Sequence, residues 1–260
     1  MTEFKRRNYG RGHAYYLGDR KLDGVTTLIN GGLPKPALVN WAARTAAEKA
    51  VNEWDRLAEL PVAQRLKEIA KGPDDARNTA AVKGTRIHAL ADRLARGEKV
   101  DVPEELAGHV ESCVRWLDEW NPKVIAAEFP VYHERYLYAG TGDLLAEVDE
   151  GDGDEVELID FKTSASGAYG DTAFQLGAYG FATHMQMPDG RVVPMIRPAK
   201  YRVCWLRADG YDFYPYHVDE SVFRQFLYIQ QVAKAASESR DYKGDALMAP
   251  VRKTRDEVPF

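Results

Sequence analysis

The chain has 260 residues, 45% of them hydrophobic and 29% charged, with 21 Gly and 13 Pro, a composition that suffices for a substantial core and excludes collagen, coiled coil and wholesale disorder. A formal net charge of −5 excludes a general polyanion binder, so any nucleic-acid site must be local. Two cysteines, Cys113 and Cys204, cannot form a disulfide framework, a cysteine-only zinc site or a four-thiolate cluster, and they read as buried thiols in a reducing compartment.

With no signal-peptide core near the start and no run of 18 apolar residues, the chain reads as intracellular with no membrane partner. Residues 1–50 carry nine Lys/Arg against four Asp/Glu, and residues 134–160 carry ten Asp/Glu against Arg135 alone. Val25–Ile29 predicts a short strand broken by Gly31–Gly32, and Pro36 opens a helix through Ala50. Trp41 and Trp54 bracket one long helix or two, and "LPVAQRLKEIAKG" predicts a further short one ended by Gly72–Pro73. Beyond a break near Gly84, Ile87, Leu90, Ala91 and Leu94 form one stripe and predict a helix over Thr85–Arg96. A capped helix follows from Pro103, with Leu106, Val110, Cys113, Val114, Leu117 and Trp120 spaced by threes and fours. Residues 1–121 thus read as mainly helical.

After Asn121–Pro122 the period changes. Val124–His133, Tyr138–Val148 and "EVELIDFKT" predict three strands, with the acidic "DEGDGD" as a solvated turn. Its glycine and ligand offsets do not match a twelve-residue calcium loop. A helix over about Ala173–His184 precedes a hairpin of "YRVCWLRA" and "YDFYPYHV", whose aromatics are expected to face a core. The last helix, Asp219–Ser239, turns Val222, Phe223, Phe226, Ile229 and Val232 inward. This order predicts an α/β fold in one domain over 1–260, with a helical part over 1–121, an α/β core over 122–240 and a tail over 241–260.

Chemistry concentrates in Gly140–Tyr179. Asp160 and Lys162 are two apart in a strand and share a face, while Phe161 points into the packing layer. If Asp143 lies on the neighbouring strand, two carboxylates can converge on a cation with an ammonium beside them. Hard divalent ions take such oxygen cages, and the lysine's point charge can hold an attacking water and stabilise charge developing on a phosphodiester. The flanking Leu158, Ile159 and Phe161 argue for a central strand, where charges are rare unless paired or metal-bound. Gln175 and Tyr179, four apart, lie one above the other on the following helix.

Taken in order, "GTRIH" from Gly84, Glu128, "GTGD" from Gly140, "IDFKT" from Ile159 and "QLGAY" from Gln175 make Gly84–Tyr179 resemble the PD-(D/E)XK nuclease superfamily. The likeness is to its RecB-like exonuclease branch, which includes phage-encoded and CRISPR-associated members, and "VTTLINGGLPKPALVNWAA" is similar to the leading segment of phage-encoded ones. The resemblance implies a restriction-endonuclease-like core with a central mixed β-sheet flanked by helices. It implies that His88, Asp143 and Asp160 bind Mg²⁺ or Mn²⁺ with the backbone carbonyl of Phe161 as a further ligand, and that Lys162 positions or activates the water. Glu128 would bind the metal through water or serve a second ion; Gln175 and Tyr179 would support the lysine and contact the DNA backbone. The four clustered cysteines of the CRISPR-associated pattern are missing, so no iron–sulfur cluster is expected.

The implied activity is metal-dependent hydrolysis of DNA, by an exonuclease of phage recombination or replication in the cytoplasm of an infected bacterial host. No helicase P-loop is present, so a motor, like a single-strand annealing protein or recombinase, would be a partner. Lys35, Arg44, Lys83, Arg86 and Arg93 are candidates for backbone contacts that do not read sequence. The rival reading is a non-catalytic DNA-binding or recombination-complex protein with a nuclease-like fold. Against it stands the intact set of charged residues, whose clustering costs stability without a metal.

Overall fold

Alternating and helical hydrophobic patterns resolve into a mixed sheet flanked by helices in the computed structural model, which describes residues 3–10, 12–151 and 153–248. The strands are β1 Phe4–Tyr9, β2 Gly12–Leu17, β3 Arg20–Gly24, β4 Lys123–His133, β5 Tyr138–Asp149, β6 Asp154–Lys162, β7 His184–Gln186, β8 Val192–Pro194, β9 Lys200–Leu206 and β10 Tyr211–Tyr216. The helices are α1 Val25–Gly32, α2 Pro36–Asn52, α3 Trp54–Ala58, α4 Val62–Ala95, α5 Ala107–Trp120, α6 Thr172–Gly180 and α7 Glu220–Glu238. β5 is the hub: β4 runs antiparallel along one edge and continues to β7 and β8, while the other edge is shared by β3 and β6. β6 then pairs in parallel with β9, which closes a hairpin with β10.

Each face of the sheet buries its own core. On one, Leu145, Leu158 and Val203 pack with Leu28 of α1, Leu176 of α6 and Phe226 of α7. On the other, Leu144, Ile159 and Phe161 pack with Ile87 and Ala91 of α4 and Cys113 and Trp116 of α5. A third cluster, Phe4, Tyr15, Leu22, Tyr132 and Ala139, seats the β1–β3 meander against the sheet. Both cysteines are buried and free, and no helix among the described residues is long and apolar enough to cross a membrane.

Several sequence expectations give way to tertiary packing. Residues 4–24 form three strands rather than part of a helical half. Val25–Ile29 opens a helix, not a strand, because Val25, Leu28, Ile29 and Gly32 make a buried helical stripe and α7 presses on it. Gly72–Pro73 does not end a helix and Gly84 does not break one: α4 runs for 34 residues, about 50 Å. Pro73 forgoes a helical hydrogen bond, and Gly72 leaves room for α2, since a Cβ there would meet Lys49 Cδ at 2.8 Å. The Trp41–Trp54 region divides into α2 and α3. The helix expected to reach His184 ends at Gly180, and His184 opens the short strand β7. On α7 Phe223, Phe226 and Ile229 are buried as expected, but Val232 is exposed, because Ala233 and not Val232 continues the buried stripe. Of the tail over 241–260, residues 249–260 lie outside the described residues.

The acidic hairpin is partly balanced by cations of its neighbour strand. Asp149 caps the turn by accepting the N–H groups of Gly151 and Gly153 at 2.7 and 3.1 Å. Glu150 and Glu155 pair with Lys200, while Glu150 and the fully buried Glu157 pair with Arg202.

The α1–α7 crossing yields a sharp expectation. A Cβ on Gly32 would lie 2.1 Å from the Ile229 carbonyl oxygen, whereas one on Gly31 would lie 3.3 Å from Ala233 Cβ. Gly32→Ala should therefore cost about 1–3 kcal/mol by overpacking, and Gly31→Ala well under half of that, as read from urea denaturation of the two proteins.

Candidate active site

β5 holds β3 at its start, with Asp23 opposite Tyr138 and Gly24 opposite Ala139, and holds β6 at its end, from Leu144 to Asp149. Between these pairings residues 140–143 have no strand on that edge, and the sheet forks. Asp143 sits at the fork and its Oδ2 accepts the Phe161 N–H at 2.7 Å, a carboxylate standing in for the ladder bond that β6 gives up as it diverges. Opposite it on β4, Glu128 has φ +48°, a left-handed conformation that costs a non-glycine residue roughly 1–2 kcal/mol.

Both strands turn over at this level. Ala127 packs in the core beneath α4 and α5, yet Phe129, two residues on, packs in the opposite core; Leu144 and Gly142 repeat the switch on β5. The glycines of "GTGD" make room for it. A Cβ on Gly142 would lie 2.6 Å from the Phe129 ring, and one on Gly140 would lie 2.4 Å from the Tyr179 ring.

The distortion gathers three ligand types. One donor atom each from His88 on α4, Glu128 on β4 and Asp143 on β5 lies within 4.8 Å of the others, and His88 Nδ1 is 3.4 Å from Asp143 Oδ2. Burial opposes charge on His88, but Asp143 outweighs it and holds the imidazole pKa above its ordinary value. Burial pushes the Asp143 carboxyl up, and His88, Lys162 and the Phe161 N–H together hold it below the usual range. Burial, with Asp143 adding to it, raises Glu128.

Beside this cluster Asp160, Lys162 and Gln175 form a closed triangle. Gln175 Nε2 donates to Asp160 Oδ1 at 2.7 Å, Lys162 Nζ donates to Gln175 Oε1 at 3.2 Å, and Nζ lies 2.7 Å from Asp160 Oδ2. That last contact is an ion pair, and Oδ2, fully buried, accepts no hydrogen bond. Burial pushes Asp160 up to about 6, against the pull of Lys162 and with a further push from Asp143. Lys162 stays above its ordinary value despite burial because Asp160 and Asp143 face it.

The structure thus brings together His88, Glu128, Asp143, Asp160, Lys162 and Gln175. It puts Glu128 with His88 and Asp143 in the three-ligand cluster, while Asp160 holds the lysine. Tyr179 is 4% exposed and forms the wall beneath Gly140 rather than an open surface. The expected phosphate contacts disperse. Lys83 lines the cleft of about 1720 Å³ above the site. Arg44 is exposed on α2, Lys35 pairs with Asp171, Arg86 with Glu105 and Arg93 with Glu98.

The cleft also has features the sequence reading missed. Arg6 and Lys21 come from the meander, Arg77 and Asp92 from α4, and Trp205 and Arg207 from β9 and the turn after it. Asp92 follows His88 by one helical turn, a spacing visible in the sequence, and its Oδ1 is buried without a hydrogen bond. The meander cations had a weaker signal: alternation of Phe4, Arg6 and Asn8 on one face of a strand.

No family model and no curated protein matches this chain. Among solved structures, one described as "Crystal structure of SSO0001" is 14% identical over 83% of this chain and 75% of that one, with a TM-score of 0.31. So distant a likeness carries no argument, and the chemistry must be argued from the residues. They suit a hard or borderline divalent ion: two carboxylates and one imidazole converge, with the buried Asp160 carboxylate, ion-paired to Lys162, next to them.

Asp160 gives a pH signature in metal-free protein. Its folded pKa of about 6 exceeds the ordinary value of 3.8, so the stability it contributes is full below pH 4 and lost as pH rises through 6. The parent should therefore lose stability relative to Asp160→Asn, which mimics the protonated acid, as pH rises from 4 to 8. Urea titrations in chelator at pH 4, 6 and 8 read this out, and a pH-independent difference would contradict it.

Proposed function

We propose that the protein is a divalent-metal-dependent deoxyribonuclease that hydrolyses phosphodiester bonds. The observation that carries this reading is the convergence of His88, Glu128 and Asp143 on the cleft floor beside a lysine anchored by Asp160 and Gln175. An exonuclease role in phage recombination or replication, alongside an annealing, recombinase or helicase partner, rests on the family resemblance of Gly84–Tyr179.

His88, Glu128 and Asp143 would hold Mg²⁺ or Mn²⁺, with Asp160 Oδ2 and the Phe161 carbonyl beside them. Such an ion supplies polarisation of a phosphoryl oxygen and a bound water acidic enough to attack at neutral pH. Lys162 spends one N–H on Gln175 and faces Asp160 with its charge; its remaining donor capacity is free for the attacking water or a phosphate oxygen. Asp160 and Gln175 fix that ammonium before substrate arrives, so little reorganisation is needed as charge develops. Tyr179 and Gly140 close the floor against each other, and Asp143, tied to the Phe161 N–H, keeps the two diverging strands in register at the reacting position.

The test is degradation of end-labelled linear duplex, single strand and closed circle with Mg²⁺ or Mn²⁺. The parent should shorten linear DNA from its ends and leave the circle intact. Lys162→Ala should remain folded and retain Mn²⁺ by calorimetry while losing about 10²–10³-fold in single-turnover rate. Cleavage by that variant within about threefold of the parent would reject the mechanism, and absence of any metal-dependent cleavage by the parent would leave a DNA-binding protein without activity.

A further inference from the structure

The β1–β3 meander forms a wall of the cleft that the nuclease reading leaves without a task. On its inner face Arg6 lies opposite Tyr15 and Asn8 opposite His13 across the β1–β2 pair, and Phe4 and Tyr15 of the same face anchor it in their own buried cluster. A chain of hydrogen bonds crosses from this wall to the forked strand. Arg6 Nη2 is 3.5 Å from His13 Nδ1, His13 Nε2 is 2.9 Å from the Tyr15 hydroxyl, and that hydroxyl is 2.7 Å from Thr141 Oγ1, two residues before Asp143.

The first two contacts fix the protons of the imidazole. A guanidinium only donates, so His13 Nδ1 must accept from Arg6. The imidazole is then neutral with its proton on Nε2, which donates to the Tyr15 oxygen, and the Tyr15 and Thr141 hydroxyls share the last contact, either one donating. The chain therefore links Arg6 to the catalytic strand. It spends one of the five N–H groups of Arg6, a residue that lines the cleft.

No carboxylate comes within ion-pair range of Arg6 among the described residues, whereas Lys35, Arg86 and Arg93 each have one. Lys21 and Lys83, also in the cleft, are likewise without an acidic partner among the described residues. Arg6 lies close enough to Glu128 for its charge to act on that carboxyl. A cation braced by a buried tyrosine, unpaired and beside an acidic cluster, calls for an anion that arrives with the substrate.

We propose that Arg6, braced by His13, Tyr15 and Thr141, binds a backbone phosphate of the nucleic-acid strand next to the one being cut. The inference rests on the nuclease reading and deepens it: Arg6 is a substrate-binding residue, and Tyr15 and His13 are positioning residues acting through it. The ligand chemistry is a phosphodiester, read without regard to base.

The experiment measures binding of a fluorescent 20-nucleotide single strand, and of the matching duplex, in Ca²⁺ across a salt series. Lys162→Ala is the common background, so that nothing is cut. Adding Arg6→Ala should weaken binding about tenfold and lower the log–log salt slope by nearly one, the signature of one lost phosphate contact. Arg6→Lys should restore the slope, and Tyr15→Phe, which keeps the ring, should weaken binding several-fold by releasing the brace. If the background protein binds and Arg6→Ala leaves affinity and slope unchanged, or weakens binding with the slope unchanged, the phosphate site is wrong and the nuclease reading stands. If the background protein binds neither form of DNA, both are wrong.

Discussion

The hydrogen bond from the Phe161 N–H to the Asp143 carboxylate is the constraint on which the site depends. A strand that leaves its partner normally exposes ladder groups that must find other partners. Here a side chain on β5 takes over one of them, at 2.7 Å, and β6 departs to pair with β9 alone. The opening this creates is where β3 also stops, so a short stretch of β5 between two sheet branches becomes the floor of a cleft. The same oxygen of Asp143 lies near His88, which makes one carboxylate both the tie that holds the fork and a member of the ligand cluster.

The geometry has a cost in stability that the rest of the fold offsets. Glu128 occupies a left-handed conformation, Asp160 keeps a buried oxygen without a hydrogen bond, and three carboxylates stand close together. Strain and crowded charge of this kind persist only where the surroundings over-determine them. The surroundings do so here: the two cores grip the strands on both faces, and Gly140 and Gly142 admit the rings of Tyr179 and Phe129 that lock the crossover. A bound divalent cation would relieve the crowding of charge, which is the physical reason for reading the cluster as a metal site.

Much of this was legible in the sequence, for identifiable reasons. The Asp160–Lys162 spacing in an apolar strand, the helical stripe through Ile87 and Ala91 that presents His88, and the Gln175–Tyr179 spacing are local patterns, and the structure keeps each on the element expected. What stayed hidden depends on contacts distant in sequence. Nothing near Glu128 announces a positive φ, because the turnover of β4 answers the fork on β5. Pro73 reads as a helix stop until α2 is seen packing against Gly72. The meander escaped notice because its strands are short, polar and rich in Gly, Arg and Tyr, and only the docking of Phe4 and Tyr15 under Tyr132 reveals a buried face. Lys35, Arg86 and Arg93 are paired with acids, a fact that charge counting along the chain cannot show.

The most direct test of this account is a crystal grown with Mn²⁺ and examined at a wavelength where manganese scatters anomalously. The account predicts one strong anomalous peak at the fork, within about 2.0–2.4 Å of donor atoms from His88, Glu128 and Asp143, and its disappearance in the Asp143→Asn protein. A peak confined to the acidic hairpin around Asp149 and Glu150, or no peak in protein that stays folded at millimolar Mn²⁺, would contradict it.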